Sequence, residues 1–451
     1  MKPMVKQWWK RQRRTGARDK LVERAENRIV FTDRVNGRAH REFMWALHDA
    51  RERGFEDVVL DFSECSGAFP NGMIPLLLST DALRRQGVGV EIVLPEDRDV
   101  ERLFLNANWA HYLDPDSHGL SDTTHDRHVA THRFTTPDEQ QSLVNAFMDV
   151  VLRTMSLERD VIAGLEWSIN EITDNVLNHA QSDRGGLVQV STFKERGRVA
   201  FAVGDSGRGI LGSLREGYPL LRTDAQAIGE AVKAGVTRNP DAGQGNGLAG
   251  TLRIATMSGG TFEIGSGLAY LTVQGADSRR YDRKAPQRID GTIVYAEIGL
   301  DANFHLADAL GFSGKPYQTV DIIDLKYQTD QGDATRLRLS EESTGFGSRP
   351  AGRQLRTKCL NLLNAEPEKP LILDWTGVPV ISSSFADELI GKLFVQLGPL
   401  AFSARVRNVA LESLVHGLID KAVMQRAAQA SQFGAVPDVE ALPELGTDDL
   451  G

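Results

Sequence analysis

The sequence predicts a multidomain α/β protein, and three observations carry that prediction. Apolar strand-like runs alternate with helix-like runs near both ends of the 451-residue chain, which is the pattern of layered α/β folds. Two of those runs, "VVLDFSECS" (58–66) and "LILDWTGVP" (371–379), share one design. In each, an apolar strand ends in Asp plus an aromatic residue, a short loop follows, and a helix begins. Between them, two amphipathic helical runs lead into a hairpin and glycine-rich turns.

Composition sets the outer limits. Apolar residues make up 41% of the chain and charged residues 25%, the balance of a soluble globular protein. The length suits about two to four domains. A net charge of -9 excludes a generally basic nucleic-acid binder. The two cysteines, Cys65 and Cys359, exclude a disulfide framework and a cysteine zinc site. They suit a reducing cytosol, so a cytoplasmic protein is expected. No apolar run reaches the roughly 20 residues that span a bilayer.

Residues 1–27 form a basic arm with Trp8 and Trp9 and no signal-peptide core; its charges read as solvated. The first block, 28–116, contains the strands "RIVFT", "EDVVLDFS" and "VGVEIVLP" and the helices "REFMWALHDARERG" and "NGMIPLLLSTDALRRQG". Residues 117–136 are polar, rich in His and Thr and without apolar period, and read as a linker. Their histidines, His118, His125, His128 and His132, fit no tight metal-ligand spacing. The second block, 137–299, opens with the helix "DEQQSLVNAFMDVVLRTMSL". A second helix follows, with Val161, Leu165, Ile169, Ile172 and Val176 at helical spacing. The hairpin "GLVQVSTFKERGRVAFAVGDSG", a glycine turn with its helix, two more strands and the closing strand "GTIVYAEIGL" complete the block. The third block, 318–435, holds the strands "TRLRLS" and "PLILDW" and the helices "SRPAGRQLRTKCLNLLNA" and "SSFADELIGKLFVQLG". The tail, 436–451, is acidic and is expected to be disordered.

Three motifs in the second block carry chemistry. In "NEITDNVLNHA", Glu171 and Asn175 stand four apart on one helix face. A carboxylate beside an amide oxygen suits a hydrated Mg²⁺ and an attacking hydroxyl or water, while a solvated polar face is the plain alternative. In "VGDSGRGI", Asp205 ends an apolar strand, where a carboxylate must be hydrogen-bonded and can accept from an exocyclic amine. Gly207 and Gly209 permit close approach of a ring, or simply form a turn. In "GQGNGLAG", Gly243, Gly245 and Gly247 precede a helix, an arrangement whose N–H groups suit phosphates. No P-loop is present, and this turn does not follow a strand as a dinucleotide-binding turn does.

In this order and spacing the three motifs resemble the N box and the two glycine boxes of the GHKL ATPases, the superfamily of gyrase, MutL and the histidine kinases. The resemblance covers roughly 140–298 and implies a central GHKL (Bergerat) α/β sandwich with a mixed sheet. It implies ATP and Mg²⁺ as cofactors, Glu171 as general base and Asn175 as the Mg²⁺ ligand. Asp205 would bind the adenine amine, with Gly207 and Gly209 shaping that pocket. Gly243, Gly245 and Gly247 would cradle the phosphates under a lid of about 211–242, to which Arg238 and Asn239 are candidate contributors. Thr292, in the closing strand, would lie near the adenine. The first helix lacks the phosphoacceptor His of a histidine kinase, and no transducer domain follows as in gyrase. The domain is most similar to the anti-sigma-factor serine kinases.

Those kinases act on small STAS domains, in which a loop carrying Asp-Ser-Ser-Gly precedes a helix and one Ser is phosphorylated. The first block is STAS-like, but Phe69, Pro70 and Asn71 fill the Asp-Ser-Ser places, so its acceptor loop is degenerate. The third block is similar to a STAS-like domain of unknown function found beside such ATPases. It places Ser382, Ser383 and Ser384 at the same register. Ser383 or Ser384 is then a phosphoacceptor or, alternatively, a helix N-cap. Arg349 and Arg353 would meet phosphate or stay solvated.

Two functions follow as expectations. One is a serine-protein kinase that moves the ATP γ-phosphate to a Ser of a STAS-like domain, in cis or in a partner. The other is an ATP-gated switch whose slow hydrolysis resets partner binding. Both call for a protein partner, STAS-like or a sigma-factor-like regulator, and leave room for a homodimer. Neither calls for a membrane span, and nucleic acid enters only through the basic arm.

Overall fold

Strands and helices alternate along the chain in the computed structural model. It describes residues 20–121, 128–155, 157–233, 247–300, 306–310, 327, 329, 333–343 and 345–432. The chain divides into two units, 1–320 and 321–451. Residues 1–19 of the basic arm and the acidic tail lie outside the described residues, while Val22–Ala25, expected within the 1–27 arm, form a strand paired with Arg28–Phe31.

The first unit begins with β1 (Val22–Ala25), β2 (Arg28–Phe31), β3 (Arg34–Val35) and α1 (Gly37–Glu52). The side chain of Asn36 caps α1 by accepting the N–H groups of Arg38 and Ala39. Then come β4 (Asp57–Asp61), β5 (Gly67–Ala68), α2 (Pro70–Arg85), β6 (Gly89–Val93), α3 (Arg98–Asn106) and α4 (Trp109–Leu113). The sheet order is β1-β2-β4-β6, with β1 antiparallel and the other pairs parallel. Helix α2 buries Met73, Ile74, Leu76, Leu77, Leu78 and Leu83. Such an all-round apolar helix needs cover on more than one side.

That second cover comes from the rest of the unit. It comprises β7 (His128–Phe134), α5 (Pro137–Thr154), α6 (Arg159–Asn175) with a π turn (Val176–Ala180), β8 (Gly186–Phe193) and β9 (Arg198–Asp205). These are followed by α7 (Gly209–Leu214), α8 (Asp224–Ala231), α9 (Gly247–Met257), β10 (Thr261–Gly267), β11 (Ala269–Gln274), β12 (Asp277–Asp282), β13 (Ile289–Gly299) and α10 (Leu306–Leu310). The seven strands form one sheet in the order β12-β11-β10-β13-β9-β8-β7.

Three expectations change here. The central sheet is not mixed: every neighbouring pair in it is antiparallel. The last strand, β13, inserts between β9 and β10, which run the same way, and so opposes both. Residues 117–136 are not linker throughout, because 128–134 form the edge strand β7. A register shift between Val129 and His132 breaks its apolar alternation, which hid the strand in the sequence. The first block does not keep a core to itself: its hydrophobic cluster also takes in Leu187, Ala200, Ala202, Ile293 and Tyr295 from one face of the central sheet. Ala200 and Ala202 of β9 join α2 in that cluster. A Cβ at Gly204 would lie 2.7 Å from Leu78 Cδ1 and 2.8 Å from Ile74 Cγ2. These small residues on one face of β9 let the helix settle on the sheet. Phe201 and Val203 alternate onto the other face.

The second unit contains β14 (Thr335–Arg338), α11 (Leu339–Glu342), α12 (Arg349–Ala365) and β15 (Leu371–Asp374). Helix α13 (Ser383–Ala386) runs through a π turn (Asp387–Gly391) into α14 (Lys392–Leu397), followed by α15 (Pro399–Arg405), β16 (Val406–Val409) and α16 (Ser413–Gln432). Its sheet, β14-β15-β16, is parallel. Among the described residues, no helix is long and apolar enough to cross a membrane.

Candidate functional site

Glu171 sits in the last turns of α6, and Asn175 ends that helix. The Glu171 carboxyl is largely buried and lies near Asp174. Burial first, and the Asp174 charge second, raise its pKa from 4.5 to about 7. A carboxylate tuned near neutral pH suits proton abstraction.

Helix α9 approaches this group through two glycines. A Cβ at Gly247 would lie 2.5 Å from Glu171 Oε2, and one at Gly250 would lie 2.2 Å from Trp167 Cη2. Advancing from Gly247 to Gly250 moves from Glu171 back to Trp167, so α9 and α6 run antiparallel at the contact. The glycine at the start of α9 leaves room for the carboxyl beside it: a Cβ there would push Glu171 Oε2 aside and lie 3.3 Å from the Glu171 Cβ. Gly243 and Gly245, together with Arg238 and Asn239, lie outside the described residues.

Asp205 ends β9 and is 3% exposed. Its Oδ1 accepts the N–H of Gly207 at 2.8 Å. The backbone of Thr292, its cross-strand partner on β13, also hydrogen-bonds the carboxyl. These donors hold the pKa down, but desolvation outweighs them and raises it to about 6. The Asp205 carboxyl is thus a fixed acceptor in a dry setting, able to take a hydrogen bond from an amine.

The loop after Asp205 is tied on both sides. A Cβ at Gly207 would lie 2.1 Å from the Ala180 carbonyl oxygen, and the Arg208 N–H donates to that oxygen at 2.9 Å. The π turn that follows Asn175 carries Ala180, so it links the first motif to the second. Gly209 has φ +71, a left-handed conformation that favours glycine. Ser266 Oγ receives the Ile210 N–H at 3.0 Å and donates to the Gly291 carbonyl at 2.8 Å. Nothing in the local pattern around Ser266 marks it. Gly291, with φ +90 and directly before Thr292, lies within β13 where the register against β10 shifts, the irregularity that a glycine near a strand end can mark.

The structure brings together Glu171 with Gly247, and Asp205 with Gly207 and Thr292. Helix α6 and its π turn connect the two groups.

In the second unit, Ser382 is the N-cap of α13, accepting the Phe385 N–H at 3.0 Å. That task therefore belongs to Ser382, not to Ser383 or Ser384. Ser384 Oγ lies 2.9 Å from Ser382 Oγ, and Ser383 is exposed. Arg349 and Arg353 stand in the first turns of α12. The backbone of Ser382 bonds the Phe346 carbonyl, and its hydroxyl donates to the Gly347 carbonyl, so the serine turn is held beside the start of α12.

Residues 351–414 match a STAS-like domain of unknown function (DUF4325). The C-terminal unit therefore contains a STAS-like domain, and the serine turn lies inside it. No curated protein and no solved structure matches the chain. The match stops short of the central block, where the resemblance rests on its own residues.

Proposed function

We propose that this chain is an ATP- and Mg²⁺-binding regulatory protein that phosphorylates a Ser of a STAS-like domain, its own or a partner's. The observation that carries this reading is the contact of Glu171 with Gly247, which joins two motifs 76 residues apart (247 − 171) on adjacent helices. Glu171 takes the hydroxyl proton as the Ser oxygen bonds to the γ-phosphorus and the bridging oxygen leaves with ADP. Asn175 would hold the hydrated Mg²⁺, and Asp205 would accept the adenine amine. The backbone N–H groups of Gly243, Gly245 and Gly247 would hold the phosphates. Phosphoryl transfer asks mainly for positioning and charge stabilisation, which these groups supply. The partner is a protein, STAS-like or a sigma-factor-like regulator.

One observation favours a second reading, the ATP-gated switch. Helix α2 rests on β9 at Gly204, one residue before Asp205. A nucleotide held by Asp205 and the whole first block therefore act on the same strand, with Glu171 activating water to reset the state.

The nucleotide assignment is tested by titration calorimetry. Asp205→Asn should weaken ATP binding at least tenfold, roughly 1.4 kcal/mol, with the thermal midpoint retained. Unchanged affinity ends the assignment for both readings.

A further inference from the structure

The serine turn of the STAS-like domain lies against an array of cations that exceeds what the local carboxylates need. Glu388 is 1% exposed, and its carboxylate is closely paired with Arg356 at 2.9 Å and Lys392 at 2.6 Å. Asp387 is held in bidentate fashion by Arg426 at 2.7 and 2.8 Å. These three partners occupy both acids at hydrogen-bonding distance.

Arg349 and Arg353 add two more positive charges. They reach the same acids only at 3.9 and 3.5 Å and remain 59% and 61% exposed. Five cations thus face two carboxylates, an excess of three positive charges. The two that are neither buried nor closely bonded stand on successive turns at the start of α12.

Close packing fixes the place of this pair. A Cβ at Gly352 would lie 3.0 Å from the Phe385 carbonyl oxygen and 3.1 Å from Glu388 Cβ. Helix α12 therefore lies directly on α13 and its π turn. The bonds from Ser382 to Phe346 and Gly347 hold the serine turn to the same end of α12.

We propose that Arg349 and Arg353 form a receptor for a phosphate monoester carried on Ser383. Two guanidinium forks match a tetrahedral dianion, with its several acceptor oxygens, better than a single carboxylate. The close pairs beneath stay intact when a dianion arrives, because it displaces only the long contacts of Arg349 and Arg353 at 3.9 and 3.5 Å. Ser383 offers the exposed hydroxyl of the turn, while Ser382 is committed to the cap. The same site would take a free phosphate from solution, because the recognising chemistry is identical. The proposal rests on the kinase reading only for the origin of the phosphate on Ser383.

The test uses the full-length chain with phosphoserine installed at 383 during synthesis, so no kinase activity is needed. Phosphorus NMR follows the second ionisation of the phosphate, whose pKa is about 6 when free. Capture by the two arginines should lower it by roughly one unit, and Arg349→Gln with Arg353→Gln should restore the free value. Arg349→Lys with Arg353→Lys keeps the charge, controls for folding, and should retain part of the shift. In a parallel arm, the unmodified chain is titrated with inorganic phosphate. A shifted phosphoserine identifies the cis phosphate as the ligand. An unshifted phosphoserine with saturable phosphate binding, lost in the double Gln variant, keeps the receptor and assigns it to phosphate from solution. No shift and no saturable binding overturn the proposal. Loss of ATP-dependent labelling in the wild-type chain would sink the kinase reading and leave this measurement standing.

Discussion

The loops after β4 and β15 are built on the same plan and put to different uses. Asp61 and Asp374 each end a parallel strand and turn a carboxylate oxygen back onto the N–H two residues on, at 2.9 and 3.0 Å. Each also pairs with an arginine of the neighbouring strand, Arg28 at 2.6 Å and Arg338 at 3.8 Å. Phe62 and Trp375 follow, both fully buried. Eight residues beyond the Asp, Phe69 and Ser382 occupy the N-cap positions of α2 and α13.

From that point the loops part. Pro70 is buried, and the amide of Asn71 hydrogen-bonds Glu263 of β10, which also receives the Tyr270 hydroxyl at 2.6 Å. At the matching places the second loop presents an exposed Ser383 and the Ser384 hydroxyl. The first loop is consumed by docking on the seven-stranded sheet. A phosphate there would meet the half-buried Glu263 carboxylate, whereas in the second loop it would meet arginines. One plan thus gives a structural element where its end is covered and a chemical one where it is open.

The largest effect that can break this comparison is labelling itself. With Mg²⁺ and γ-labelled ATP, peptide mass spectrometry should find phosphate on the 382–384 turn and none on the 62–72 loop. Glu171→Ala should lower the labelling rate by about 10²-fold or more while ATP still binds. An unaltered rate excludes Glu171 as base, and phosphate released only to water favours the switch. Next in size is Gly204→Val, which drives a side chain into Ile74 and Leu78. Overpacking of this kind costs about 3 kcal/mol, read by urea unfolding of the first unit. No change in its midpoint would disprove the shared core.

A pH experiment isolates Glu171. Between its ordinary value of 4.5 and about 7 in the fold, the native chain keeps a proton that the unfolded chain has released. This carboxyl therefore makes stability fall as pH rises through that window. Glu171→Gln should flatten the wild-type slope there and stabilise the protein above pH 7 by about 3 kcal/mol. Equal slopes in the two proteins would show that the carboxyl is not desolvated. The smallest effect is Ser382→Ala, which removes the α13 cap at a cost of about 1 kcal/mol. Ser383 labelling should persist in this variant; its loss would make the cap, and not the exposed hydroxyl, the functional feature of the turn.

Much of this was legible in advance, and the misses have physical causes. The helix bearing Glu171 and Asn175 announced itself through its apolar spacing, and "VGDSG" placed Asp205 at a strand end. The Asp-aromatic repeat located both loops. Strand β7 escaped because its register shift scrambles the alternation that marks a strand. Gly204 passed unnoticed between Val203 and Asp205, since nothing local distinguishes a glycine that seats a helix from one that merely turns the chain.

By itself the sequence determined the α/β class, the positions of the strand-ending acids and the serine turn, and the face that the helix bearing Glu171 would bury. These follow from local periodicity and residue chemistry. Tertiary structure decided what each face would be buried against. It placed β13 between two strands that precede it in the chain, merged the first block with the central sheet, and laid Gly247 on Glu171. It also covered Pro70 while leaving Ser383 open. Periodicity reports that a surface is apolar, but the partner is chosen by shape and chain connection over distances the local pattern does not contain.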